Sequence, residues 1–155
     1  AVVAQSETQA AALWALREDQ SAAQKPEGAA WKHDVAVPVS KVPTFLAEAE
    51  ATALAMVPGA RVCAFGHVGD GNIHFDILRP DGGSDAEHAA RRDEGSRAIH
   101  DIVHRLGGSI SAEHGLGAAK TAEASRYKSP VELEAMRAIR RALDPNRILN
   151  PRVLF

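Results

Sequence analysis

"RVCAFGHVGDGNIHFDILR", Arg61 to Arg79, holds two short apolar runs separated by a loop with three glycines. Each run is long enough for a strand, and the loop supplies turn residues, so the stretch predicts a β-hairpin. Alternation sorts the second strand. Ile73, Phe75 and Ile77 share one face, which leaves His74 and Asp76 on the other. A histidine stands at each end of the loop, His67 and His74. Glycine permits positive φ and close backbone approach, so such a loop can bring two imidazoles to one point.

Around this hairpin the chain alternates between helical and extended patterns. Residues 4–24 read as a helix. "WKHDVAVPV" reads as a strand with Val35, Val37 and Val39 on one face. Ser40 is placed to cap a helix running to Met56. Ser84 and Glu87 form a capping-box pattern for a helix reaching Leu106, which Gly107 stops. "GSISA" reads as a short strand. "EHGLGAAK" reads as a glycine-rich turn leading to a further helix. Ser129, Pro130 and Glu132 open a last helix, with Leu133, Met136, Ile139 or Arg140, and Leu143 as its apolar stripe. "DPNRILNPRVLF" leaves that helix as an extended tail. This order predicts an α+β fold: an antiparallel sheet with helices packed on one face, ferredoxin-like in arrangement.

The 155 residues fit a single domain, residues 1–155, with room for a sizeable core. The net charge of −2 argues against a nucleic-acid-binding surface. Apolar runs are too short for a membrane span. The N-terminal stretch lacks the basic start and apolar centre of a signal peptide. The single cysteine, Cys63, excludes an internal disulfide and a multi-cysteine zinc site and fits a reducing compartment. The chain opens within a helical pattern and without Met, as a domain of a longer protein would.

His33, His88, His100 and His104 read as structural, because each sits in an element with an ordinary packing pattern. His67 and His74 call for a third partner. Glu113 in "SAEHGLG" supplies one at the end of another short segment. Two histidines and one carboxylate form a metal set that leaves a coordination position open. Zinc, iron(II) and manganese all accept such mixed donors. An open ion of this kind either activates water or binds a substrate oxygen and makes it more acidic. Asp70 reads as a loop hydrogen-bonder.

"FGHVGDGNIHFDI", "SAEHGLGAAK" and "ALDPNRILNP" together resemble the C-terminal domain of the FAD-linked 2-hydroxyacid dehydrogenases and oxidases. "WKHDVAVPVS" and "LWALRE" extend the resemblance over nearly the whole chain. That family includes D-lactate dehydrogenases, glycolate oxidase flavoprotein subunits and D-2-hydroxyglutarate dehydrogenases. The resemblance implies that a separate N-terminal domain binds most of the FAD, while this domain caps the flavin and holds a D-2-hydroxyacid, which becomes a 2-keto acid. It implies a divalent metal, zinc first, on His67, His74 and Glu113. Arg17 and Lys32 match residues that hold substrate carboxylate, and Ser21 matches an assisting hydroxyl. His114 matches the group beside the hydroxyl-bearing carbon, so it, or water on the ion, is the expected base. Asn150 matches a position near the flavin edge.

Asp76 stands where hydroxyglutarate-type members carry Asn. An acid there would repel a second carboxylate, which points to a lactate- or glycolate-type substrate. The implied partners are the substrate, the FAD-binding domain of the same protein and an electron acceptor. The implied setting is cytoplasmic, or peripheral to the inner membrane. On this reading the domain alone does not turn over. Two rivals use the same residues: a stand-alone metal hydrolase, and a non-catalytic carboxylate-binding module.

Overall fold

The computed structural model describes residues 2–153. Its strands are β1 (Ala30–Ala36), β2 (Arg61–Phe65) and β3 (Asn72–Leu78). Its helices are α1 (Glu7–Glu18), α2 (Gln20–Ala23), α3 (Val42–Met56), α4 (Asp85–Ala90), α5 (Arg92–Arg105), α6 (Thr121–Tyr127) and α7 (Pro130–Leu143). The sheet order is β1-β3-β2, and both pairings are antiparallel. The predicted hairpin is present, with Phe65 opposite His74 and Arg61 opposite Leu78. Being central, β3 also pairs with β1, where Lys32 faces Asp76 and Asp34 faces His74.

The hairpin loop lies against the end of β1. Gly71 has φ +74, and its carbonyl accepts from the Val37 N–H at 3.0 Å. A Cβ on Gly71 would lie 1.9 Å from the Val37 carbonyl oxygen, so both its conformation and its packing require glycine.

Period-two alternation divides the sheet. Trp31, His33 and Val35 of β1, with Ile73, Phe75 and Ile77 of β3, are buried against α3, α4 and α5. Phe45, Ala49 and Ala53 recur every four residues on α3, so one stripe meets the sheet. Ile99 and Val103 do the same on α5. The buried histidines are structural, as expected. His33 Nδ1–H donates to the Phe75 carbonyl at 2.7 Å, and its Nε2 accepts from Ser96 Oγ at 3.1 Å. Burial drives its pKa down to about 4, and the ring is neutral. His88 stacks on Trp31 with ring centroids 4.5 Å apart and donates to the Ile77 carbonyl.

The α+β architecture, with α3, α4 and α5 against one face of an antiparallel sheet, is thus present; among the described residues the sheet has three strands, not the four of a ferredoxin-like arrangement. "GSISA" forms no strand. It contributes one antiparallel bridge, Ala36 to Ser109, on the outer edge of β1. Serine hydroxyls there bond to nearby backbone instead: Ser109 Oγ to the Ser111 carbonyl and Ser111 Oγ to the Gly115 carbonyl. The first strand ends at Ala36, and Val39 is exposed inside a 3-10 turn, Val39–Lys41. Ser40 lies within that turn and caps nothing, so α3 starts two residues later.

The long first helix is divided at Asp19 and the Ser84–Leu106 helix at Arg91. Ser84 does accept from the Glu87 N–H. The capping box at Ser129 and Glu132 is complete, with Pro130 in the first turn. Of the α7 stripe only Leu133 is buried, while Ile139 and Leu143 are exposed. The tail is folded into turns, not extended, because the Asp144 carboxylate accepts from the Ile148 and Leu149 amides. Leu154 and Phe155 lie outside the described residues. No described helix is long and apolar enough to cross a membrane.

Candidate functional site

The other face of the sheet carries two cross-strand rows. One is Lys32–Asp76–Cys63 and the other is Asp34–His74–Phe65. Over them lies a cavity of about 360 Å³, lined also by Ser21, Glu113, His114 and Lys120. Ser21 comes from α2, whose neighbour Gln24 reaches down to Cys63 Sγ at 3.5 Å. Burial, aided by the Asp76 charge, pushes the Cys63 thiol up, so it sits here as an unreactive thiol.

Most of the expected site residues meet. Glu113 faces both loop histidines: its Oε1 is 3.0 Å from His67 Nδ1, and its Oε2 is 3.8 Å from His74 Nε2. The other nitrogen of His67, Nε2, contacts Arg17 Nη2 at 2.8 Å, so Arg17 on α1 reaches the loop across 50 residues of sequence. Lys32 lines the cavity and pairs with Asp76 at 3.4 Å; the lysine is half exposed while the carboxylate is buried. The His114 ring stacks on His74 with centroids 5.5 Å apart. Asn150 is not among the lining residues. It has φ +45, is exposed, and its carbonyl accepts from Val153 and Arg140.

Two residues that no sequence motif marks, Asp34 and Lys120, stand inside this arrangement. Asp34, 3% exposed, accepts from the Glu113 and His114 amides, each at 2.8 Å, and from Asn72 Nδ2 at 3.0 Å. Burial alone would raise its carboxyl. The His114 and Glu113 amides, the His114 ring and the Asn72 amide outweigh that and hold it below its ordinary value. The potential ligand atoms lying within 4.8 Å of one another belong to Asp34, His74 and His114. This is a different set from His67, His74 and Glu113, and the two share His74. Period two along β1 was the available signal, since it places Asp34 on the face of Lys32.

Lys120 is the second unexpected residue. Its Nζ donates to the Ile110 carbonyl at 2.9 Å. Burial lowers its pKa against the opposing charge of Asp34. Residue type gave no signal for it, because it follows a glycine-rich turn of unreadable path.

The chemistry on offer is an oxygen–nitrogen donor cluster beside cationic side chains, in a cavity sized for a small acid. Comparison with known proteins adds a lineage. The sequence profile for the C-terminal domain of FAD linked oxidases matches residues 1–154. A D-2-hydroxyglutarate dehydrogenase of Xanthomonas citri pv. viticola is 42% identical over 154 residues, covering 99% of this chain and 32% of the relative. One from Stutzerimonas stutzeri is 39% identical, covering 99% and 33%. A mitochondrial D-2-hydroxyglutarate dehydrogenase of Arabidopsis thaliana is 36% identical, covering 97% and 25%. The chain therefore spans at most about a third of the length of these relatives.

Proposed function

The chain belongs to the family of FAD linked oxidase C-terminal domains, and from that membership we propose that it is the substrate-holding domain of a FAD-dependent dehydrogenase. The substrate is a D-2-hydroxyacid and the product a 2-keto acid. The observation that carries the site assignment is the Glu113 carboxylate, which lies against both His67 and His74. A carboxylate between two imidazoles fits a divalent cation, with zinc the first candidate and iron(II) or manganese compatible.

The flavin fits beside this domain rather than within it. The glycine loop opens into β3 and not into a helix, so it is not the strand–loop–helix cradle that holds cofactor phosphate. When bound, FAD supplies the two-electron acceptor and the metal ion supplies a fixed positive charge.

The chain's own residues do the rest. Arg17 offers a two-point fork to the substrate carboxylate, and Lys32 a point charge. Ser21 adds a hydroxyl. His114, exposed at the cavity, takes the hydroxyl proton as general base. Asn150 approaches the flavin edge from the C-terminal turn. Asp76, buried beside Lys32, puts negative charge on the cavity wall and favours a monocarboxylate of lactate or glycolate type. The similarity to D-2-hydroxyglutarate dehydrogenases supports a second reading, in which the dicarboxylate is used and Lys32 screens Asp76.

The partners in this proposal are the FAD-binding domain of the same protein, the acid and an electron acceptor, in a cytoplasmic or peripheral inner-membrane setting. Family membership favours this redox chemistry over a stand-alone metal hydrolase or a carboxylate-binding module.

The test is turnover of the full-length protein with a dye acceptor on D-lactate, glycolate and D-2-hydroxyglutarate. Asp76→Asn should raise kcat/KM for hydroxyglutarate about tenfold relative to lactate, the size of one screened charge contact. A wild-type preference of tenfold or more for hydroxyglutarate, unmoved by Asp76→Asn, would overturn the monocarboxylate assignment. No turnover on any 2-hydroxyacid would overturn the substrate class.

A further inference from the structure

We propose that Asp34 is the positioning residue of this site: one buried carboxylate that orients His74 and bends the Glu113–His114 segment so that their donors converge. What the converging groups bind rests on the proposed function. The positioning does not.

Asp34 is almost fully buried, and no lysine or arginine forms an ion pair with it within 4 Å among the described residues. A buried carboxylate in that position is tolerated only if hydrogen-bond donors satisfy it. Here Oδ2 accepts from two successive amides, those of Glu113 and His114. Two consecutive N–H groups aimed at one oxygen make a concave nest, which fixes the backbone of the segment that supplies them. The side chains of Glu113 and His114 then leave it in different directions. Glu113 reaches His67, and His114 stacks on His74.

The second oxygen, Oδ1, accepts from Asn72 Nδ2 and stands 3.7 Å from His74 Nδ1. That separation is an electrostatic contact longer than a hydrogen bond. A carboxylate stands near each ring nitrogen of a neutral His74, Asp34 beside Nδ1 and Glu113 Oε2 at 3.8 Å from Nε2. Asp34 is buried whereas Glu113 is half exposed, so water screens Glu113 more strongly, and the Nδ1–H form with a bare Nε2 is favoured. Metal-binding histidines are commonly held in this way by a carboxylate behind the ring.

These hydrogen bonds also separate Asp34 from the donor set. It belongs to the trio of ligand atoms within 4.8 Å, with His74 and His114. Yet Oδ2 has both lone-pair directions taken by amides, and Oδ1 has one taken by Asn72. Serving as a ligand would cost it the contacts that hold the segment. Asp34 thus joins β1, β3 and the 113–114 segment at one point, just beyond the Ala36–Ser109 bridge and the bond from the Ala112 N–H to its own carbonyl.

The test reads the ring directly. The full-length protein, ¹⁵N-labelled at histidine and free of metal, is compared at pH 8 with Asp34→Asn; His74 signals are assigned with His74→Gln. In the wild type, His74 should show a protonated Nδ1 and a bare Nε2. In Asp34→Asn the amide side chain must turn its carbonyl to the two backbone N–H groups and its NH2 toward His74, so the tautomer should reverse. Zinc affinity, titrated on the same samples, should fall 10- to 100-fold.

A wild-type His74 with its proton on Nε2 overturns the proposal without any variant, so a failure of Asp34→Asn to fold does not rescue it. An unchanged tautomer with zinc affinity within twofold in Asp34→Asn overturns it as well. A wild type with the Nδ1–H form and no affinity for zinc, manganese or iron(II) supports the positioning of His74 while removing the metal from the proposed function.

Discussion

Along β1 and β3 neighbouring side chains point to two faces with opposite contents. Trp31, His33, Val35, Ile73, Phe75 and Ile77 meet α3, α4 and α5 and exclude water. Lys32, Asp34, His74 and Asp76, one residue away in each case, line a cavity. Even histidine follows this division. His33 on the closed face is saturated by backbone and serine and held neutral, whereas His74 on the cavity face keeps a ring nitrogen directed at Glu113. Stability and chemistry are thus assigned to alternate residues of the same strands, and a one-residue slip in register would exchange them.

The strongest way to break this contrast is on the closed face. Phe75 is fully buried in the central strand, with Phe45 at 5.5 Å between ring centroids. Phe75→Ala should cost about 3–5 kcal/mol in urea unfolding, from lost transfer energy plus a cavity. A loss below about 1 kcal/mol would mean the face collapses onto the gap and is not packed as described.

The next effect is a pH dependence. Folded His33 takes a proton only near pH 4, whereas the unfolded ring does so near 6.5. The folded pKa is depressed, so this stability is whole above pH 6.5 and is lost as pH falls toward 4, by roughly 3 kcal/mol in full. His100, also lowered by burial, acts in the same direction. Unfolding free energy measured at pH 7.5 and at pH 5 should show the fall, and His33→Gln should flatten it. An equally steep profile in that variant would move the effect to other groups.

The smallest stability effect belongs to the cavity face. His74 is only partly buried, and His74→Ala should change the unfolding free energy by no more than about 1 kcal/mol, while removing a ligand of the metal site proposed above. An unfolding loss matching that of Phe75→Ala would show that both faces carry the fold and would dissolve the comparison.

Much of this division was legible in the sequence. The alternation after Asn72 gave both faces of β3, and the glycines between two histidines gave the loop. The capping box at Ser129 was readable because its two bonds are local. What was not legible is what local pattern does not encode. "GSISA" has strand composition, but its hydroxyls bond to nearby backbone and leave a single bridge. The α7 stripe has core periodicity, yet the packing of the rest of the fold reaches only Leu133. Asp34 carries no local signal of its role because its partners, Asn72 and the 113–114 amides, lie 38 to 80 residues away. Charge and spacing nominate a ligand, but a supporting residue is recognised only by what surrounds it.

The position of β2 at the rim of the sheet has a consequence for solubility. It pairs with β3 on one side, and among the described residues no strand pairs with its other side. A row of free backbone donors and acceptors is a template on which another extended chain can build. Arg61 opens that strand between two acids, Glu27 at 2.8 Å and Asp81 at 3.3 Å, so an incoming strand meets a knot of charge at the point where pairing would begin. The guard is electrostatic and lies on the surface, so concentrated salt screens it. Pairing through this sheet edge is therefore expected to rise with ionic strength, an effect the small net charge alone does not suggest.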